Sequence, residues 1–124
     1  MTSISKIGRY LKSKIQEDFA SGDVLPGTHS DDFKYFILGL FNDIHDECGY
    51  QAFGLRTKVT RDVGLGQLDL GWNEEGENVG LRLIAIATPD YMIVYVVPIS
   101  SGLNMSSDEE DLEDHMKFVF EPDG

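Results

Sequence analysis

Val79-Gly-Leu-Arg-Leu-Ile-Ala-Ile-Ala87, then Thr88-Pro-Asp90, then Tyr91-Met-Ile-Val-Tyr-Val-Val-Pro-Ile99 is the stretch whose reading decides the fold. Val79, Leu81, Leu83 and Ala85 recur at a period of two, which is the strand signature. On the other face Arg82 gives way to Ile84 and Ile86, so the second half of this strand is apolar on both sides. Thr88-Pro-Asp90 reads as a tight turn. Tyr91 to Ile99 is a continuous apolar run whose β-branched residues favour a central strand over a helix.

Upstream the alternation continues. Asn73-Glu-Glu-Gly76 reads as a polar hairpin turn closed by glycine. Before it, Leu68, Leu70 and Trp72 alternate with Gln67, Asp69 and Gly71. Earlier still, Phe53, Leu55, Thr57 and Val59 share one face, with Arg56 and Lys58 on the other. Downstream, Ser100 to Asn104 closes the sheet segment, and Met116, Phe118 and Phe120 against Lys117 and Glu121 suggest a short last strand. Gly64-Leu-Gly66 and Gly71 precede no helix that would receive a phosphate, so they read as a turn and as a bulge or close approach in a sheet.

Helical periodicity appears only in the first fifty residues. Ile4, Ile7, Leu11, Ile15 and Phe19 recur at three and four, which predicts a helix from about Ser3 to Ala20. A second is predicted between Ser30, as N-cap, and Gly49, as C-terminal residue, with Phe33, Phe36, Ile37, Leu40, Phe41, Ile44 and Cys48 on one face. Short turns force antiparallel neighbours. The expectation is therefore α+β: two N-terminal helices packed on an antiparallel meander sheet of three to five strands. Residues 1–105 would form a single α+β domain, and 106–124 an acidic C-terminal segment with a short helix and a strand.

The chain has 124 residues, 22 Asp+Glu against 10 Lys+Arg, and a formal net charge of -12. Such a charge repels phosphate backbones and disfavours direct nucleic-acid binding, while favouring a basic protein partner. The imbalance is uneven: Ser106 to Gly124 holds eight acids and one Lys117, whereas residues 1–14 hold four bases and no acid. Ser106 or Ser107 reads as the cap of a short helix whose first turn is Asp108 to Asp111. No apolar run approaches the roughly 20 residues of a membrane helix, and no basic-then-apolar leader opens the chain, which points to the cytoplasm. A lone Cys48 excludes an intrachain disulfide.

Each catalytic constellation fails on a missing part. His45 and Cys48 lie three apart, but a structural zinc wants four ligands, and Cys48 falls on the apolar helix face. Asp69 faces a strand reading Leu-Arg-Leu-Ile-Ala-Ile-Ala, without the acid and lysine that a magnesium nuclease places there, so it reads as an outward strand residue. Ser100-Ser-Gly102 lacks the strand-to-helix elbow of a serine nucleophile, and Asp43, Asp46 and Glu47 are acids of a solvated helix. No catalytic residue, metal or cofactor is expected.

What remains is binding. The acids Glu74, Glu75 and Glu77 at a hairpin tip and Asp108, Glu109, Glu110 and Asp111 in the acidic run are the expected contacts to a basic partner. Tyr35 and Leu38, off the main apolar stripe of the second helix, are the expected apolar contacts. The expected function is a small acidic protein-binding protein, an inhibitor of antitoxin, immunity-protein or phage-inhibitor type that neutralises a partner with a basic, nucleic-acid-binding face. The alternatives are a dimeric chaperone-like protein for a secreted or assembled client, and an enzyme whose site is assembled in three dimensions. The sequence leaves the oligomeric state open.

Overall fold

The computed structural model describes residues 9, 10, 13, 38, 39, 42, 46, 51–60, 63–74, 76–88 and 91–120. The apolar alternation becomes five strands: β1 (Gln51–Val59), β2 (Gly64–Glu74), β3 (Glu77–Ala87), β4 (Met92–Pro98) and β5 (Met116–Phe120). They form one sheet in the order β1-β2-β3-β4-β5, every neighbouring pair antiparallel. Between β4 and β5 lie a single 3-10 turn, Ile99–Ser101, and one short helix, α1 (Glu109–Leu112).

The β2–β3 hairpin is the longest pairing. Its register runs without a break from Gly64 opposite Ala87 to Glu74 opposite Glu77, leaving a two-residue connection. Gly76 takes a positive φ of 87° there, which a side chain resists and glycine accepts. The expected turn at Asn73–Gly76 is thus narrower, since Asn73 and Glu74 belong to β2. Gly64-Leu-Gly66 lies within β2, not in a turn, and the bulge falls in β1 between Ala52 and Gly54.

Register assigns the two faces. Leu68, Leu70, Leu81, Leu83, Met92, Val94 and Val96 share one face and are buried. The opposite face carries Ile84, Ile86, Tyr95 and Val97, buried in a cluster with Leu112 of α1 and packed by Val63, Leu65, Ile93, Leu103 and Met105. The chain from Ile99 to His115 therefore crosses this second face as a strap before returning to the sheet edge as β5.

This corrects the expected fold class. Among the described residues the structure is mostly sheet, with α1 its one bounded α-helix, not two N-terminal helices packed on a sheet. The predicted helices near 3–20 and 30–49 lie outside the described residues, apart from Arg9, Tyr10, Ser13, Leu38, Gly39, Asn42 and Asp46, whose backbone is helical. The physical reason lies in β3 and β4. Strands apolar on both sides need a cover on both, and on the second face the acidic segment supplies it.

Leu112 is 1% exposed and is the one buried residue of α1. Leu112→Ala is expected to destabilise the protein by about 2–5 kcal/mol, from lost apolar transfer and the cavity left over Ile84 and Tyr95. Chemical denaturation checks this, and an unchanged midpoint would show that the strap is not part of the cooperative fold.

Candidate functional site

The strap is held by polar groups that the strands aim at it. Counting back equally from the two-residue connection puts Asp69 of β2 opposite Arg82 of β3. Arg82 Nε donates to Asp69 Oδ1 at 2.7 Å and Nη2 to Oδ2 at 3.3 Å, a forked pair that fits a planar guanidinium to a carboxylate. Arg82 Nη1 donates to the Leu103 carbonyl at 2.8 Å, so the same side chain holds the strap. Buried Gln67 does likewise two positions along β2, its Oε1 accepting from the Met105 N–H at 3.2 Å. Gly54 leaves room for this pair: a Cβ there would stand 3.1 Å from Asp69 Oδ2.

Beyond Met105 the strap turns on its own side chains. Asn104 N–H donates to Ser107 Oγ at 2.9 Å, and Ser106 N–H donates to Asn104 Oδ1 at 2.7 Å. The expected capping by Ser106 or Ser107 is corrected: the N-cap of α1 is Asp108, whose side chain makes no capping bond, because the Ser107 hydroxyl is engaged with Asn104. Asp108, Glu109, Glu110 and Asp111 are all exposed, and Leu112 beneath them fixes the turn to the sheet.

The predicted contacts do not converge. Glu74 and Glu77 are paired backbone positions at the end of the hairpin, with Glu75 outside the described residues. Leu112 packs at the level of Ile84, seven residues along β3 from Glu77, which is roughly 20 Å at strand spacing. The backbone positions of Glu74 and Glu77 are thus at the hairpin end, away from α1. Leu38 is half-buried, and Tyr35, His45 and Cys48 lie outside the described residues. Asp69, expected to point outward as an ordinary strand residue, is instead mostly covered and paired.

The acids of the strap act on one buried group. Tyr95 is 1% exposed beneath it, and its phenol is raised above the ordinary value of 10.0, first by burial, then by the negative charges of Glu109 and Glu113, then by Tyr91. Among the described residues no cluster of three or more His, Cys, Asp or Glu has the arrangement to hold a metal ion. Nor is any described helix long and apolar enough to cross a membrane.

Sequence reasoning missed the Arg82–Asp69 pair and the buried role of Gln67, although the hairpin count was sufficient to put the first two side by side. No signal in the strand pattern marks Leu103 and Met105 as the groups above them. Comparison with known proteins finds no matching family model, no matching curated protein and no matching solved structure.

Two outcomes follow from the latch and the phenol. Arg82→Met leaves the Asp69 carboxylate and the Leu103 carbonyl without their donor, and is expected to cost about 2 kcal/mol. Asp69→Leu added to it should restore part of that loss in a double-mutant cycle, and strict additivity would remove the pairing as the cause. For Tyr95 the unfolded chain gives up its proton first, so the stabilising contribution is whole below pH about 10 and is lost as pH rises through the raised folded value. Alkaline unfolding followed by tyrosinate absorbance should shift to higher pH in Tyr95→Phe, and an unshifted transition would contradict the assignment.

Proposed function

We propose that this is a cytoplasmic, non-catalytic binding protein that neutralises a protein partner through the partner's basic face, in the manner of an antitoxin, an immunity protein or a phage-encoded inhibitor. The observation that carries the reading is the exposed turn Asp108 to Asp111, seated on the sheet by Leu112, in a chain of net charge -12. An acidic run anchored to a core loses less conformational freedom on binding than a free tail would. Opposite charge steers the encounter and makes it salt-dependent, while apolar contact supplies most of the affinity. A partner built to hold phosphates would meet carboxylates spaced along a rigid surface. Glu74 and Glu77, opposite each other in register at the end of the β2–β3 hairpin, are offered as a second set of contacts, together with Glu75.

Capture from host lysate at low and high salt tests this reading with three proteins: wild type, Glu109→Lys with Glu110→Lys and Asp111→Lys, and Glu74→Lys with Glu77→Lys. A basic protein is expected on the wild type at low salt, reduced at least tenfold at high salt and on the α1 variant. Retention of the same protein at equal level by the α1 variant would rule out the acidic turn as the contact, and equal loss on the hairpin variant would show that both groups engage.

A further inference from the structure

Among the described residues the two outer strands of the sheet, β1 and β5, are finished differently. β1 carries exposed Arg56 and Lys58 and a bulge between Ala52 and Gly54. Charge and bulges on an outer strand are the ordinary means by which proteins deter pairing with another chain. β5 has neither. Its register with β4 is unbroken from Met92 opposite Phe120 to Val96 opposite Met116. The large exposed hydrophobic side chains among the described residues are Met116, at 50%, and Val119, at 52%, both on this five-residue strand. Its one charged residue, Lys117, has Glu113 within 4.0 Å.

The surroundings of β5 define what would fit beside it. Lys117 and Val119 share the face of Tyr95 and Ile93, over which the strap lies with exposed Glu109 and Glu113. Met116 and Phe118 share the opposite face with Val96 and Val94, and there the neighbours are apolar. A sixth strand alongside β5 would present alternate side chains to an acidic face and to an apolar one. A second copy of this chain suits the edge poorly, because pairing β5 with β5 would bring two such acidic straps together.

We propose that β5 is a docking edge for an extended segment of a basic protein in which Lys or Arg alternates with apolar residues, added as a sixth strand. The inference rests on the basic-partner reading above and specifies how that partner is held. Backbone hydrogen bonds to the outer side of β5 supply register, the strap acids select the cations, and Met116 with Phe118 receives the apolar side chains.

The test uses two capped octapeptides of one composition, alternating Lys-Val and four Lys followed by four Val, titrated into the full chain labelled with nitrogen-15. The alternating peptide is expected to bind at least tenfold more tightly and to shift the amides of residues 116–120. Met116→Lys with Val119→Lys, at exposed positions that leave the β4 pairing intact, should abolish that preference. Equal binding of both peptides overturns edge pairing while leaving a charge-driven partner standing. Binding of neither peptide overturns edge pairing and counts against the basic-partner reading as well. A dimer by light scattering with the β5 amides protected from exchange overturns the proposal in favour of a second copy.

Discussion

The second half of β3 and the whole of β4 are apolar on both faces, so neither face tolerates water there, and the rest of the described structure answers that constraint. Ile84, Ile86, Tyr95 and Val97 form a surface that the sheet cannot cover by itself. A short hairpin between β4 and β5 would leave it exposed. The chain instead spends Ile99 to His115 crossing over it, with Leu103, Met105 and Leu112 turned down onto it. Burying side chains of this size contributes about 1.5–3 kcal/mol each, enough to hold a segment whose acids repel one another.

A crossing segment also has backbone groups to satisfy. Arg82 and Gln67 meet that demand from inside the sheet, the first at the Leu103 carbonyl and the second at the Met105 N–H. Arg82 brings a charge with it, and Asp69 across the hairpin balances that charge. No buried side-chain nitrogen or oxygen among the described residues lacks a hydrogen-bond partner. The latch is therefore a complete unit, with the apolar residues supplying attraction and the polar ones the position.

Structure and charge meet in the strap. The same residues that cover the core carry the densest acidity of the chain, so the negative surface is held in place by the folding of the sheet. This links stability to binding: loosening Leu112 would unseat the acids and uncover Tyr95 together. It also sets β5, the strand to which the strap returns, beside that negative surface.

The strands were legible in the sequence because a period of two over four to eight residues has few other readings, and the antiparallel order followed from turns too short for anything else. The hairpin acids could be placed at a tip, and the Asp69–Arg82 pairing was implicit in the count from Gly76. The irregularity between Ala52 and Gly54 was not legible because a bulge inserts a residue without changing composition. Ser107 was misread as a cap because its hydroxyl has a second suitor, the Asn104 N–H, that local pattern does not weigh. The sequence by itself determined the strands, their order and the sign and clustering of charge, all of which depend on neighbours along the chain. Only the tertiary structure decided that the acidic segment is a cover over Ile84 and Tyr95, that Arg82 and Gln67 hold it, and that Met116 and Val119 stay in water. Those outcomes depend on contacts between residues about 20 to 40 apart, where several segments compete to bury one apolar face and packing selects among them.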